Sequence, residues 1–177
     1  VDSRSMAVQT LLEDVHIIEA RSKAAHFFYQ CNLERDDEVG SYIGHIDLSK
    51  NGTPSYHRLG ETSGSLRLEP LQSSACLIFA PAKQQGIKCI AIEENRVLWD
   101  YGVEQKFSGL KMLGIGMHVA ILIKDEAGAN HVEILDKDSG QLIERVKPIN
   151  HPYDIFVLGD TLVVSGMMGL AVMTVEP

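Results

Sequence analysis

Short strand-like segments recur along this chain at a nearly constant spacing, and this recurrence constrains the fold more than any other feature. Each segment is about five to eight residues long and either alternates apolar with polar residues or is continuously apolar. Breaks rich in Gly, Asn, Asp, Ser and Pro separate the segments, and no window carries a convincing 3.6-residue period. The sequence therefore predicts an all-β chain.

The segments group into four similar units. Predicted second strands begin at His26, Cys76, His118 and Thr161, and predicted third strands begin at Gly44, Lys88, His131 and Leu170. One interval is longer than the others, and it contains a charged loop at residues 34–38. Four strands in about 40–45 residues is the period of a β-propeller blade. A β-sandwich also has many short strands, but it has no reason to repeat one pattern four times.

The predicted fold is thus a single domain over residues 6–177 made of propeller-type blades, about four four-stranded repeats. The repeats are expected at about 15–59, 66–101, 110–146 and 153–175. Residues 1–5 precede Met6 and are expected to be a cloning remnant. Residues 6–12 could supply a closing strand for the last unit and remove an exposed edge. Alternatively, a second copy or another chain completes the ring.

Three stretches resemble the repeats of WD40-like and quinoprotein-like β-propellers. They are HVEILDKDSGQLIERV, YDIFVLGDTLVVSGMMGLAVMTV and IKCIAIEENRVLWDY, in which a strand and a tight turn lead to an outer strand. The resemblance implies a propeller fold. The chain departs from the WD40 pattern because no unit has its Gly-His pair and because Trp99-Asp100 falls in a fourth strand rather than a third. No Arg follows Asp100 by two positions, so docking to a cullin ligase is not supported.

Composition and charge exclude several functional classes. The net charge is −8 and the 16 Lys and Arg residues are scattered, so nucleic-acid binding is disfavoured. No apolar run approaches the roughly 18 residues of a membrane helix, and no export signal is recognisable. Cys31, Cys76 and Cys89 lie in or beside apolar segments without CxxC spacing, which indicates reduced, buried thiols. A cytoplasmic protein is expected, with the nucleus as the second compartment.

Motifs for chemistry are weak throughout the chain. The seven His residues form no HxH, HxxxH or HExxH pattern, and Ser165-Gly166 lacks the surroundings of a nucleophile elbow. Gly114 and Gly116 lack the third Gly of a phosphate loop, and residues 136–140 fit a hairpin turn better than a calcium loop. The Met pair at 167–168 could fill a core or form a sticky surface. The sequence therefore predicts no catalytic residues, no cofactor and no metal.

The most promising functional surface is a set of loops. Loops between units and loops between second and third strands emerge at one end of a propeller, and here they include 32–40, 102–108, 124–130 and 147–154. Candidate partner-binding residues on them are Asp36, Asp37, Glu38, Phe107, Asp125, Glu126, His151 and Tyr153. Aromatic side chains among charged ones are typical of protein-binding hot spots, although solvated loops without a partner are an equally simple interpretation.

The expected function is a non-enzymatic scaffold or assembly subunit that binds other proteins, with homodimer formation or ring completion by another chain as open alternatives. The second hypothesis is an enzyme or a small-molecule binder with its site at the central channel, as in some quinoprotein-like propellers. Against this second hypothesis, the sequence shows no convergent set of acid, base and metal-ligand residues.

Overall fold

The prediction of an all-β chain is confirmed by a computed structural model. The structure describes residues 12, 15–35, 38–50, 52–59, 66–72, 75–79, 86–102, 108–124, 127–147 and 149–174. Within these ranges the chain forms fifteen β-strands and no helix, and so it contains no helix that is long and apolar enough to cross a membrane.

The strands form four antiparallel sheets that follow one another along the chain. Sheet 1 contains β1 (His16–Lys23), β2 (His26–Arg35), β3 (Glu38–Asp47) and β4 (Pro54–Arg58). Sheet 2 contains β5 (Arg67–Gln72), β6 (Ala75–Phe79), β7 (Ile87–Ala91) and β8 (Arg96–Tyr101). Sheet 3 contains β9 (Ser108–Ile115), β10 (His118–Lys124), β11 (Asn130–Asp136) and β12 (Leu142–Val146). Sheet 4 contains β13 (Pro152–Leu158), β14 (Thr161–Gly166) and β15 (Gly169–Thr174).

Every sheet is a simple meander in which strands that are neighbours in sequence are also neighbours in space. Three of the predicted four-stranded units are therefore present as four-stranded sheets, and the fourth has three strands among the described residues. A meander requires only short hairpin connections, which is why the turn residues of the sequence mark the strand boundaries so clearly.

The turn between β11 and β12 illustrates this local control. Asp136 Oδ1 accepts hydrogen bonds from the backbone N of Ser139, at 2.7 Å, and from its Oγ, at 2.6 Å. The N–H of Gly140 donates to the carbonyl oxygen of Asp136, at 2.9 Å, and Gly140 has a φ of +70°. A non-glycine residue would be strained in this conformation, so the Asp, Ser and Gly residues form a hairpin turn, as the sequence predicts.

The sheets pack face to face in chain order, and each facing pair buries an apolar cluster. Phe28 and Ile43 of sheet 1 meet Leu68, Cys76, Ile78 and Ile90 of sheet 2. Leu77, Phe79, Cys89 and Trp99 of sheet 2 meet Met112, Val119, Ile121 and Leu135 of sheet 3. Ala120, Leu122, Val132 and Ile134 of sheet 3 meet Ile155, Leu162 and Val164 of sheet 4. The continuous apolar runs of the central strands, such as ACLIF in β6 and VAILI in β10, are explained by this packing on both faces of sheets 2 and 3.

The first strands of the four sheets lie along one side of this stack. β1 lies against β5, β5 against β9, and β9 against β13. Among the described strands, no comparable contact joins sheet 4 to sheet 1. The arrangement is consistent with consecutive propeller-type blades.

One predicted loop is wrong. Residues 34–38 were expected to form a charged loop within the longer loop 32–40, but β2 continues to Arg35 and β3 begins at Glu38. In this hairpin Leu33 pairs with Gly40 and Glu34 pairs with Val39. The strands extend because Leu33 packs onto the apolar cluster of sheet 1, which anchors the register while Glu34 is exposed.

The face of sheet 1 that points away from sheet 2, here called its outer face, is covered. Tyr29, Cys31, Tyr42 and Ile46 are buried there, and Leu12 and Val15 pack against them. The ring of Tyr29 occupies the space that a side chain at Gly44 would need. Of the predicted closing strand 6–12, only Leu12 lies within the described residues, so the closing strand itself stays a prediction.

Candidate functional site

Most of the candidate partner-binding residues lie outside the described part of the chain. This applies to Asp36, Asp37, Phe107, Asp125 and Glu126. Glu38 is the first residue of β3, and its side chain is not described. His151 and Tyr153 are described with their side chains, and both belong to the segment that enters sheet 4.

The segment that contains His151 and Tyr153 packs against the end of β14. Both side chains are exposed, and Tyr153 is 62% accessible. A Cβ atom on Gly166 would lie 2.6 Å from Ile149 Cδ1 and 3.1 Å from the carbonyl oxygen of His151. Gly166 therefore permits this close approach, which brings the exposed Tyr153 to the same end of sheet 4 as the hairpin that follows β14.

That hairpin has Met167 and Met168 at its tip. Their side chains are among the most exposed large apolar side chains of the described residues, with Met168 88% accessible. Methionine is flexible and polarizable, which suits it to surfaces that bind other molecules. Of the two interpretations of this pair in the sequence, the exposure therefore excludes the core filler and favours the sticky surface.

Sheet 4 has two apolar faces, and only one of them is covered. Ile155, Leu162 and Val164 face sheet 3 and are buried. The face that points away from sheet 3, here called the outer face of sheet 4, carries Phe156, Leu158, Val163, Leu170 and Val172. Residues that pair directly across neighbouring strands point to the same face of a sheet. Phe156 and Val172 both pair with Val163. Leu158 pairs with Thr161 and Leu170 pairs with Ser165, and both partners lie two residues from Val163 on the same face of β14.

The outer face of sheet 4 is continuous and largely accessible. Leu170 is 64% exposed and Val172 is 68% exposed, while Val163 between its two neighbours is buried. The polar members of this face are Thr161, Ser165 and Thr174, which carry no charge. Asp154 pairs with Ser165 at one end, but its carboxylate lies 2.6 Å from Nζ of Lys111 in sheet 3. The face is therefore an uncharged patch made mainly of aliphatic side chains and one phenylalanine.

Comparison of the third strands shows how unusual this exposure is within the molecule. The five central residues of β11 and four of the five residues of β7 are buried. In β15 no residue is buried. The difference arises because β7 and β11 each lie between two strands and between two sheets, whereas β15 has neither a fourth strand beside it among the described residues nor a sheet over its outer face.

A buried carboxylate joins sheets 2 and 3. Glu133 is fully buried, and its Oε1 accepts a hydrogen bond from Nε of Arg145 at 2.8 Å. Its Oε2 accepts one from the hydroxyl of Tyr101 at 2.8 Å, and His131 Nε2 lies 3.2 Å from Oε1. Burial, followed by the hydrogen bond to Glu133, raises the pKa of Tyr101. Because both oxygens of Glu133 already hold donors, this group stabilises the packing of two sheets rather than acting as a free base.

A second polar group lies where sheets 1 and 2 meet. His26 Nδ1 lies 3.0 Å from His45 Nε2, and His45 Nδ1 lies 3.5 Å from a carboxylate oxygen of Glu93 in the turn between β7 and β8. Burial lowers the pKa of His45, and the nearby Glu93 only partly offsets this effect. Sequence reasoning missed this chain of groups, because Glu93 reaches His45 only after sheets 1 and 2 have packed.

Charged side chains also lie along the first strands, where a central channel was considered. Lys23 Nζ donates to the carbonyl oxygen of Pro70 at 3.4 Å, and Glu69 accepts a hydrogen bond from the N–H of Gly114 at 3.5 Å. Burial raises the pKa of Glu69, and this effect is opposed by the Gly114 N–H and by Lys23. Within the described ranges, no group of three or more His, Cys, Asp or Glu residues is arranged to hold a metal ion.

Comparison of the sequence with protein-family models finds no match, and comparison with curated proteins finds none either. The resemblance to WD40-like and quinoprotein-like repeats therefore stays a prediction.

Proposed function

We propose that this protein is a non-enzymatic assembly subunit, built of propeller-type blades, that binds another protein through sheet 4. The observation that supports this proposal is the exposed outer face of sheet 4, with Phe156, Leu158, Leu170 and Val172 accessible to solvent. Contiguous apolar patches on a folded protein mark interaction sites, because their burial is favourable by roughly 25 cal/mol per Å².

The packing of the other sheets supports the same proposal. Sheets 2 and 3 are covered on both faces by neighbouring sheets, and the outer face of sheet 1 is covered as well. Among the described residues, the comparable apolar faces of sheets 1, 2 and 3 are buried. A protein partner that covers it would complete the pattern, and Tyr153, Met167 and Met168 would extend the contact at the end of the sheet.

The loop residues singled out in the sequence belong to this proposal as a second part of the surface. In every meander the end of the second strand lies at the same end of the sheet as the beginning of the first strand, and in sheet 4 this end carries Tyr153 and the Met hairpin. Acidic residues in the connections at this end would form a polar rim around an apolar centre, which is the usual anatomy of a protein interface.

Charge substitutions on sheet 4 test the proposal. Partners would be cross-linked in the native extract and identified, and the binding of each purified partner would be measured by calorimetry. Val172→Glu is expected to weaken binding at least tenfold, since a charge would be buried without a partner. Ile143→Glu is the matched control, because Ile143 is an exposed apolar residue on the outer strand of sheet 3.

Thermal unfolding of both variants would show that they fold. If every identified partner bound Val172→Glu as tightly as the native protein, the outer face of sheet 4 would not be the binding surface and the proposal would be wrong.

A further inference from the structure

We infer that the outer face of sheet 4 binds a second copy of this chain, face to face and with two-fold symmetry. The inference rests on the proposed function and narrows it, because it names the partner of the same surface. Three features of the molecule support it: the stack of sheets has one open end, the outer face of sheet 4 lacks unpaired charges, and its apolar residues can pack against an identical face.

The stack of sheets has one open end and one covered end. At the open end, Leu170 and Val172 are exposed; at the other end, Tyr29, Cys31 and Ile46 are fully buried beneath neighbours that include Leu12 and Val15. A head-to-tail contact, including an eight-bladed ring of two copies, would require an open outer face on sheet 1. Contact between two sheet-4 faces buries the open end of both copies, so that assembly stops at a dimer.

The distribution of charge favours the same contact. The chain carries a net charge of −8, so two copies repel each other over most of their surfaces. The outer face of sheet 4 is an exception, because its described side chains are apolar or hydroxyl-bearing and the carboxylate of Asp154 at its margin is paired with Lys111. Two copies can therefore approach through this face without placing like charges against each other.

The arrangement of the apolar residues is also compatible with pairing of identical faces. Phe156, Val163 and Val172 form a row across the three strands, with Val163 in the middle. When two sheets pack with their strands roughly aligned, a two-fold axis near Val163 would place this row against its equivalent in the second copy. This central row is self-complementary because it consists of aliphatic and aromatic side chains, which need no specific hydrogen-bond partner.

The size of the face determines how tightly the two copies are expected to bind each other. Three strands about 4.8 Å apart, of which the two shorter ones have six residues rising about 3.3 Å each, give a face of roughly 14 Å by 20 Å. The resulting ~280 Å² is smaller than the ~800 Å² that each partner contributes to a standard interface. Contacts from Met167, Met168 and Tyr153 add to it. The dimer is therefore expected to dissociate on dilution.

The experiment is light scattering after size exclusion at two protein concentrations that differ by about a hundredfold. The measured mass of the native protein is expected to increase from that of the monomer, 19.5 kDa, towards twice that value at the higher concentration. Val172→Glu should stay monomeric at both concentrations, while the control Ile143→Glu should dimerise as the native protein does. Thermal unfolding at both concentrations should show a higher melting temperature for the native protein at the higher one.

Other outcomes overturn the inference. A native protein that remains at 19.5 kDa at both concentrations would exclude the second copy as the occupant. A dimer that persists in Val172→Glu would place the contact elsewhere, and a series of growing oligomers would indicate head-to-tail packing. If Val172→Glu failed to fold, Val172→Thr, which keeps the branched shape, should still shift the equilibrium towards monomer.

These results are distinguishable from failure of the proposed function. A monomeric native protein whose identified partner loses affinity for Val172→Glu would contradict the second-copy inference and leave the proposed function supported. A monomeric protein whose partners bind that variant normally would contradict both.

Discussion

The guanidinium of Arg145 on β12 forms an ion pair with the buried carboxylate of Glu133 on β11, with Nη2 of the arginine 2.6 Å from Oε1 of the glutamate. Glu133 is fully buried, whereas about half of the Arg145 side chain is exposed. Tyr101 of sheet 2 donates to the other oxygen of the same carboxylate. One acidic residue thus connects two sheets. The free-energy cost of burying its carboxylate is offset only while its hydrogen-bond donors are in place.

This relationship predicts an unequal cost for single and double substitution. Arg145→Met should reduce the free energy of unfolding by about 3 kcal/mol, because it leaves a buried carboxylate without its cation. The double variant Glu133→Leu/Arg145→Met should lose less, roughly 1 kcal/mol, because no buried charge remains. Urea unfolding monitored by circular dichroism would measure both. A double variant less stable than Arg145→Met would contradict this explanation.

A second prediction concerns the dependence of stability on pH. Burial holds the pKa of His45 below its ordinary value of 6.5, and it does the same for His57. Below pH 6.5 the unfolded chain therefore takes up protons that the folded chain resists, so the free energy of unfolding falls as the pH decreases towards the lowered pKa values. Above pH 6.5 both states hold neutral imidazole and this contribution is fully present.

The groups around His45 make the test specific. Glu93 raises its pKa, His26 and Lys50 lower it, and Asp47 raises it, but burial outweighs them. His45→Gln should flatten the decrease in melting temperature between about pH 6.5 and pH 5, whereas substitution of the exposed His16 is the control. An unchanged slope in His45→Gln would show that another group causes the acid sensitivity.

A third prediction concerns the thiols. Cys31, Cys76 and Cys89 are free and buried, and burial raises the pKa of Cys89 to about 12 and also raises that of Cys76. The native protein should therefore react with none of its three thiols within minutes in an aromatic disulfide assay near pH 8, and with all three after unfolding. Rapid reaction of a native thiol would show that its strand opens locally.

The same thiols predict a loss of stability at alkaline pH. A thiol whose pKa is raised in the folded state stays protonated while the unfolded chain ionises above its ordinary value of 9.0. The free energy of unfolding should therefore decrease as the pH rises above about 9. Replacement of Cys89 with Ala should reduce that decrease.

A fourth prediction compares two glycines with similar backbone conformations. Gly140 has a φ of +70°, and a Cβ atom there would lie 2.5 Å from Cδ2 of Trp99, whereas Gly159 has a φ of +63° and open space around it. Gly159→Ala should lower the free energy of unfolding by about 1–2 kcal/mol, because only the strain of the left-handed conformation is added. Gly140→Ala should cost at least ~1 kcal/mol more, because Trp99 must move.

Fluorescence would report this movement directly, because Trp99 is the single tryptophan of the chain. Its indole N–H donates to the carbonyl oxygen of Lys137 at 2.8 Å. A shift of the emission maximum in Gly140→Ala and none in Gly159→Ala is expected. If both substitutions lowered the free energy of unfolding equally, the side chain of Trp99 would move aside without a loss of stability.

Strands and turns could be predicted because their signals are local. The apolar residues of LIERV and the Asp, Ser and Gly of residues 136–140 act within a few residues, so the β11–β12 hairpin is visible in the sequence. The extension of β2 and β3 was missed because Leu33 packs onto the apolar cluster of the outer face of sheet 1, which forms only after the two strands have paired. A charged segment predicts solvent exposure, but it does not distinguish a loop from the solvated end of a hairpin.

The candidate surface could be predicted only in part. The exposed Tyr153 and the alternative of a sticky Met pair are present in the sequence analysis. The outer face of sheet 4 is not, because LAVM is a continuous apolar run, just as the strands buried on both faces are. Whether Leu170 and Val172 are covered depends on the presence of a neighbouring sheet, which is a property of the assembled stack. Likewise, Glu133, Arg145 and Tyr101 come from three strands and meet only after the sheets have packed.

The face-to-face packing of meanders also affects how such a chain can change in length during evolution. Each unit brings its own hairpins and presents similar aliphatic faces on both sides, as sheets 2 and 3 do. Duplication or deletion of one unit would therefore leave neighbouring faces able to meet again, with little rearrangement inside the units that remain. The number of units is then a heritable variable that selection can adjust separately from the sequence of each unit.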